Sequence, residues 1–240
     1  MANAFAGVDF YDVDGLLSEE ERAVRDTVRA WVDEHLMPVI GDAYVEGKFP
    51  KQLIPGMAEL GVLGANLPEE YGCAGLNNVA YGLIMQELER GDSGIRSFAS
   101  VQGALVMYPI YAFGSEEQKK QWLEPSIRGE IRSCFSMTEP DAPGSSPYAI
   151  QTRAIRDGDD WVINGRKWFT SGAVGAAFAI VMCRTEEADG DGGVREKMTQ
   201  IIVPTDTPGF NIVRRIPVWG HDSNHCEIEY KNVRVPVTNQ

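Results

Sequence analysis

Two short segments, "FSMTEP" and "WFTSG", carry side chains suited to holding a flat ligand with polar edges. Thr138 and Thr170 offer hydroxyls, and Trp168 and Phe169 offer apolar ring surface. A heteroaromatic ring could stack on an indole while its carbonyl and nitrogen edges accept hydrogen bonds from hydroxyls and backbone N–H groups. The same residue types also favour β-strands, so a purely structural role is the alternative.

A second cluster, "HDSNHCE", sets His221 four residues before His225, with Cys226 adjacent. On a helix the two histidines would share one face and could bind zinc. The flanking strand and turn signals instead place them on a loop leading into a strand, where this spacing need not bring them together. Zinc therefore stays a minor alternative. The four cysteines form no CxxC pair and indicate a reducing compartment.

Composition narrows the class of protein. Of the 240 residues, 43% are hydrophobic and 24% are charged, which is typical of a globular chain. The net charge of −13 argues against a nucleic-acid partner, and any anionic ligand would need local donors. We expect no membrane span, signal peptide or transit peptide, hence a cytoplasmic protein, or a mitochondrial matrix one if the chain is a mature eukaryotic protein.

The first half has the hydrophobic spacing of helices. Ser18 and Glu21 form a capping-box pattern at the start of one helix, which Pro38 should end. Ser115 and Gln118 repeat the pattern before a short helix. Three further helices are predicted, over residues 50–61, 77–91 and 94–113.

After Gly129 the pattern changes to alternating, β-branched segments separated by "DGDD", "NG" and other turn signals. We therefore predict an α+β fold with a helical domain over residues 1–130 and an antiparallel β-barrel over residues 131–240. This order excludes folds built from repeated βαβ units, and the phosphate-binding patterns GxGxxG and GxxxxGK[ST] do not occur.

Several motifs in order resemble the acyl-CoA dehydrogenase family of flavoenzymes. "CFSMTEPDAPGSSP", "TRAIRDGDDWVINGRKWFTSG" and "NVRVP" are similar to the family's TEP…GSD, GD…NG.K.WIT and V.VP segments. In the helical half, "LGVLGANLPEEYGCAGL" resembles its G…..PE.YGG.G element. The resemblance covers essentially the whole chain and implies the N-terminal helical and middle β-barrel domains of that fold.

The resemblance implies FAD as cofactor and an acyl-CoA thioester as substrate. Carried over residue by residue, the resemblance implies that six residues contact the flavin and that Ser145 contacts CoA. The flavin positions are Phe135, Met137 and Thr138 on one side and Trp168, Phe169 and Thr170 on the other. A hydroxyl near the reactive nitrogen of the flavin would stabilise charge as hydride arrives.

The segment "ERGDSGIRSFASVQGALVMYPIYAFGSEEQ" is similar to the glutaryl-CoA dehydrogenase branch. In that branch an Arg-Ser pair meets the free carboxylate of the substrate, which assigns this role to Arg96 and Ser97. Glu87 stands where the branch has an acidic residue near the acyl pocket. A guanidinium can hold a carboxylate with two parallel hydrogen bonds. Without the resemblance, Arg96 would be interpreted as a solvated arginine at a helix end.

The sequence departs from the family in places. GSD is "GSS" here, WIT is "WFT", and the β-half follows the glutaryl branch less closely. The sequence stops at "NVRVPVTNQ", where family members continue into a helical domain that carries the catalytic glutamate. We therefore expect little or no dehydrogenase activity from these 240 residues alone.

Other functions remain open. The first alternative is a non-catalytic module that binds flavin or CoA, and the second is an acyl-CoA oxidase or nitroalkane-oxidising relative. If the protein is an active dehydrogenase, the resemblance implies an electron-transfer flavoprotein or another acceptor as partner. Self-association into a homo-oligomer is also expected, because apolar surface left exposed favours it.

Overall fold

A computed structural model describes residues 10–144, 146–188, 193–219 and 223–240 of the chain. The first part is helical. Its α-helices are α1 Glu19–Trp31, α2 Met37–Val45, α3 Ile54–Glu59, α4 Asn78–Gly91, α5 Ser93–Ser100, α6 Tyr108–Phe113, α7 Glu116–Gln118 and α8 Glu124–Ile127. Among the helices of these described ranges, none has the length and apolar character needed to cross a bilayer.

Both capping boxes predicted from the sequence are confirmed. The Ser18 hydroxyl accepts a hydrogen bond from the Glu21 amide, and the Glu21 carboxylate accepts one from the Ser18 amide. Ser115 and Gln118 make the same reciprocal pair at the start of α7. These bonds satisfy donors that a helix N-terminus otherwise leaves unpaired.

The prediction that Pro38 ends the first helix is wrong. A π-helical segment, Val32–Leu36, joins α1 to α2, and Pro38 lies in the first turn of α2. Proline lacks the N–H that a helix interior requires. The wider turn lets the Met37 amide bond to Val32 O, so the chain stays helical through the proline.

The second part is a seven-stranded sheet made of β1 Ser133–Ser136, β2 Arg153–Asp157, β3 Asp160–Ser171, β4 Phe178–Ala188, β5 Val194–Pro204, β6 Phe210–Arg215 and β7 His225–Pro236. The strand order is β1-β4-β2-β3-β7-β6, and β5 pairs with β4. β1 and β2 both run parallel to β4, whereas the other pairs are antiparallel. The predicted α+β class is confirmed, but the sheet is mixed rather than purely antiparallel.

The two parts share one hydrophobic core. Phe178 and Ile180 on β4 and Ile202 on β5 are buried in the same cluster as the helical side chains, and the Trp122 ring lies 4.7 Å from the Phe178 ring. A second cluster fills the opposite face of the sheet and includes Cys134, Ile228 and Tyr230. Because successive strand residues point to opposite faces, β4 supplies both clusters.

Candidate functional site

A β-bulge near the end of β3 displays two aromatic rings. Lys167 pairs with Ile228 on β7 and Thr170 pairs with Cys226, so three steps along β3 match two along β7. Phe169 adopts the left-handed conformation, with φ of 55°. The Trp168 and Phe169 rings lie 4.6 Å apart at 30°, and Phe169 is 49% exposed. A bulge re-aims side chains locally, which here leaves a partly exposed aromatic pair beside the sheet.

The segment after β1 is joined to this bulge. The Trp168 amide donates to Thr138 O at 3.0 Å, and the Thr138 hydroxyl donates to Trp168 O at 2.6 Å. Both predicted ligand-binding segments therefore meet at one place. Because the Thr138 hydroxyl already donates its proton to a backbone carbonyl, it can only accept further hydrogen bonds.

A buried ion pair lies directly behind the bulge. Lys167 Nζ donates to Met137 O at 2.8 Å and to Glu139 Oε1 at 2.9 Å, and both side chains are buried. The Glu139 carboxylate also accepts bonds from the Gln151 and Thr152 amides. This pair was not predicted from the sequence, although Glu139 lies in "CFSMTEPDAPGSSP" and Lys167 in "TRAIRDGDDWVINGRKWFTSG".

Three hydroxyls form a chain inside the sheet. Tyr230 donates to Ser136 Oγ at 2.8 Å, and Ser136 Oγ lies 3.1 Å from Thr170 Oγ1, all of them buried. Burial raises the pKa of Tyr230 well above its usual range, so the phenol keeps its proton. The structure therefore separates Thr170 from Trp168 and Phe169, because Thr170 faces the interior.

Phe135 lies on the other face of β1, packed against the helical core. Met137 follows the strand and offers its carbonyl to Lys167. The flavin roles assigned to Phe135, Met137 and Thr170 remain predictions. Ser145 and His221 lie outside the described residues. Within those residues no three His, Cys, Asp or Glu side chains are grouped to hold a metal ion.

A cavity of about 450 Å³ separates α5 from the ends of β1, β3 and β7. This volume lies in the range of small-ligand sites. Arg96 and Ser97 line it from the helical side, as does Gln102. Its other lining residues are Phe49, Ser93, Gly94, Phe98, Val101, Arg132, Ser133, Ser171, Gly172, Asn224 and His225. The predicted Arg-Ser pair thus faces a cavity between the two parts of the chain.

Arg96 is partly committed to a neighbour. Its Nε lies 2.5 Å from Glu89 Oε2 and its Nη1 lies 3.5 Å from the Ser100 hydroxyl, while a third of the side chain stays exposed. Among the described residues nothing bonds Nη2. The Nη edge, the part of the guanidinium that can grip a carboxylate, is thus little used by the protein.

Glu87 does not line this cavity. Its carboxylate is buried and accepts hydrogen bonds from Arg29 at 2.7 Å and from Arg90 at 2.9 Å. Burial alone would raise the pKa of Glu87, but these hydrogen bonds hold it below its ordinary value. The contacts tie α4 to α1, and the acyl-pocket role predicted for Glu87 stays a prediction.

Gln102 joins the helices to the sheet. Its side-chain oxygen accepts from the Ser133 amide at 3.1 Å and the Ser133 hydroxyl at 2.7 Å, and its Nε2 donates to Ser133 O at 2.9 Å. Both side chains are buried in the cavity wall. Nothing local in the sequence marks this contact, because the partners are 31 positions apart.

Comparisons with known proteins agree with this architecture. Residues 18–130 match the acyl-CoA dehydrogenase N-terminal domain, and residues 134–233 match the middle domain of the same family. The chain is 36% identical over 227 residues to a probable acyl-CoA dehydrogenase of Bacillus subtilis, covering 93% of this chain and 58% of that protein. It is 32% identical over 221 residues to the mitochondrial short-chain specific acyl-CoA dehydrogenase of Bos taurus, covering 92% of this chain and 52% of that one.

A solved structure is similar over nearly the whole chain. Glutaryl-CoA dehydrogenase from Mycobacterium smegmatis, in complex with FADH2, superposes with a TM-score of 0.85 at 43% identity. The match covers 99% of this chain and 59% of that one. The chain therefore spans between half and three fifths of the length of these relatives. Two domain matches in the family's order, on a helical part followed by a sheet, show that the chain belongs to the acyl-CoA dehydrogenase family.

Proposed function

We propose that the chain forms the flavin and acyl-CoA sites of an FAD-dependent dehydrogenase that introduces an α,β double bond into an acyl-CoA thioester. The observation that carries this proposal is the aromatic bulge of Trp168 and Phe169, which stands at the same end of β3 as the cavity beside Arg96. A flat ring system can stack on the bulge while a chain attached to it or lying beside it enters the cavity.

The residues at the bulge suit an isoalloxazine ring. Trp168 and Phe169 supply apolar surface that is still partly exposed, and the Thr138 oxygen can accept a hydrogen bond from a ring N–H. The Lys167–Glu139 pair and the two Thr138–Trp168 bonds hold these groups in place. Pre-positioned contacts reduce the ordering cost of binding. FAD, when bound, supplies the acceptor for the β-hydride.

The cavity supports a dicarboxylyl substrate such as glutaryl-CoA. Arg96 lines it, no described residue bonds its Nη2, and no carboxylate among the described residues lines the cavity. A guanidinium in such a place can bind the free carboxylate of the acyl group, which a protein with a net charge of −13 would otherwise repel. A plain fatty acyl chain would offer the guanidinium no carboxylate beyond that of Glu89.

Removal of the α-proton needs a base in reach of the acyl group. No carboxylate is among the described lining residues, so they offer no carboxylate base for this step. This observation favours a second function for the chain studied by itself, a module that binds flavin and acyl-CoA without turnover. As acceptor of the electrons we include an electron-transfer flavoprotein, a proposal supported by the family relationship alone.

The test uses protein loaded with FAD and mixed without oxygen with glutaryl-CoA or butyryl-CoA. The proposal predicts that glutaryl-CoA perturbs the flavin absorption at lower concentration than butyryl-CoA does. Arg96→Ala should remove that preference, whereas Arg128→Ala, at an exposed arginine paired with Glu130, should retain it. Equal responses to both thioesters would contradict the carboxylate site. Bleaching of the flavin would show that the chain contains its own base.

A further inference from the structure

Ser171 and His225 form a polar pair on the wall of the cavity. They are register partners at the ends of β3 and β7, and Ser171 Oγ lies 2.6 Å from His225 Nδ1. Both residues line the cavity on the side of the sheet, whereas Arg96 lines it from α5. The family motifs give neither residue a role, and the zinc hypothesis treated His225 only as a possible ligand.

The contact with Ser171 involves only one nitrogen of the His225 ring. The Ser171 hydroxyl lies 2.6 Å from Nδ1 and 3.4 Å from Phe169 O. If Ser171 donates to Nδ1, the neutral ring carries its proton on Nε2. No residue in the described parts of the chain bonds Nε2, so this nitrogen is available to a ligand.

The groups around His225 make the cavity cationic. Arg96 and Arg132 line it, and none of its described lining residues is acidic. Glu89 pairs with Arg96 through Nε, and Arg132 donates through Nη2 to Gly175 O, so each arginine keeps N–H groups that no described residue bonds. Ser97 and Asn224, with a hydroxyl and an amide donor, also line the cavity. Such a set selects an anion against the negative charge of the whole protein.

We propose that His225, oriented by Ser171, is a second carboxylate-binding residue that determines specificity for dicarboxylyl thioesters together with Arg96. This inference rests on the proposed function and deepens it. Ser171 follows Trp168 by three residues, directly after the bulge, and is the last residue of β3. An acyl group that starts beside the bulge therefore ends near His225, and its free carboxylate binds between Nε2 and the guanidinium.

A merely structural role is the competing explanation for the pair. In that case the Ser171–His225 bond only closes the ends of β3 and β7, and its loss would change stability without changing ligand binding. Conservative substitutions that keep the hydrogen-bonding group of each residue distinguish the structural role from the ligand-binding role. Ser171→Thr keeps a hydroxyl for Nδ1, and His225→Gln keeps an amide donor near the position of Nε2.

The experiment titrates free glutarate, with the uncharged glutaramide as control, into the whole chain and follows imidazole resonances by NMR. The chain has three histidines, so single substitutions assign the signals. We expect glutarate to shift the His225 signal with saturation and glutaramide, which has no carboxylate, to leave it unchanged. The glutarate Kd should rise about tenfold in His225→Ala, as for loss of a charge-assisted hydrogen bond.

Ser171→Ala should weaken glutarate binding to a smaller degree, and Ser171→Thr should restore it. His35→Gln serves as the matched control, because His35 is exposed and outside the cavity. The inference is overturned if glutarate does not shift the His225 signal, or if the glutarate Kd is the same in His225→Ala as in the wild type.

FAD retention through desalting, measured on the same samples, tests the proposed function separately. If the protein retains FAD but the His225 signal does not shift with glutarate, only the second carboxylate site is rejected. A responsive His225 in protein that does not retain FAD supports the anion site and rejects the flavin site.

Discussion

Lys167 Nζ lies 2.9 Å from Glu139 Oε1, and this buried ion pair joins β3 to the segment that follows β1. Lys167 also donates to Met137 O, and Glu139 accepts from two amides at the start of the segment leading into β2. Three parts of the chain are thus fixed next to Trp168. The pair explains why a lysine and a glutamate stand within the two motifs that frame the aromatic bulge.

Removal of the lysine should destabilise the protein strongly. Lys167→Met leaves the Glu139 carboxylate buried without its cation, which should lower the free energy of unfolding by about 3–5 kcal/mol. Urea denaturation measures the change. Lys197→Met is the control, because Lys197 forms an exposed pair with Glu187 and should cost about 1 kcal/mol or less. If both variants lose a similar free energy of unfolding, the buried Lys167–Glu139 pair contributes no more to stability than an exposed pair.

The same carboxylate should make stability depend on acid pH. Burial alone would raise the pKa of Glu139, but the backbone amides and Lys167 lower it below its ordinary value of 4.5. A lowered pKa in the folded state contributes stability that is present above pH 4.5 and lost as the pH falls through the folded-state pKa. Stability measured between neutral pH and pH 3 should fall less steeply in Glu139→Gln. An unchanged slope would contradict the shift.

The contact between Gln102 and Ser133 should hold the helices against the sheet. Gln102→Met leaves the buried backbone groups of Ser133 without partners, a loss of about 1–3 kcal/mol per unsatisfied group. Denaturation should show the lower stability, and the apparent affinity for acyl-CoA should fall because the cavity wall moves. Gln200→Met, at an exposed strand position, should change neither quantity. A Gln102 variant as stable as the wild type would disprove the role.

Local features of the fold could be predicted from the sequence, whereas long-range ones could not. The capping boxes of Ser18 and Ser115 depend on residues three positions apart, and both are present. The passage of the helix through Pro38 needs a π-helical turn, for which the sequence shows no marker. The parallel pairing of β1 with β4 joins segments separated by β2 and β3, so strand patterns alone favoured an antiparallel sheet.

The candidate site shows the same limit. Strand alternation places Ser136 and Cys134 on one face of β1 and Phe135 on the other, which explains why the Ser136 hydroxyl faces Tyr230. The bulge at Trp168 breaks this alternation and could not be derived from residue types. The Ser171–His225 bond joins residues 54 positions apart and also escaped prediction.

Close packing of β3 against the segment before β2 should make Gly165 irreplaceable. A Cβ at Gly165 would lie 2.3 Å from Thr152 Oγ1 and 2.7 Å from Thr152 Cα, and the residue has a φ of 157°. Gly165→Ala should therefore destabilise the protein by about 1–3 kcal/mol or more in denaturation experiments. Gly82→Ala offers a contrast, since a Cβ there meets nothing within 4 Å on an exposed helix and should stabilise by about 0.5–1 kcal/mol. A neutral Gly165→Ala would show that the strands can move apart.

The most direct test of the account is the visible absorption spectrum of the purified chain after addition of FAD and desalting. We predict that flavin absorption stays with the protein and that Trp168→Ala weakens FAD binding by about tenfold or more. Trp219→Ala, at a tryptophan 94% exposed, should leave FAD binding unchanged. A colourless wild-type protein, or equal FAD binding by Trp168→Ala, would contradict the assignment of the aromatic bulge as the flavin site.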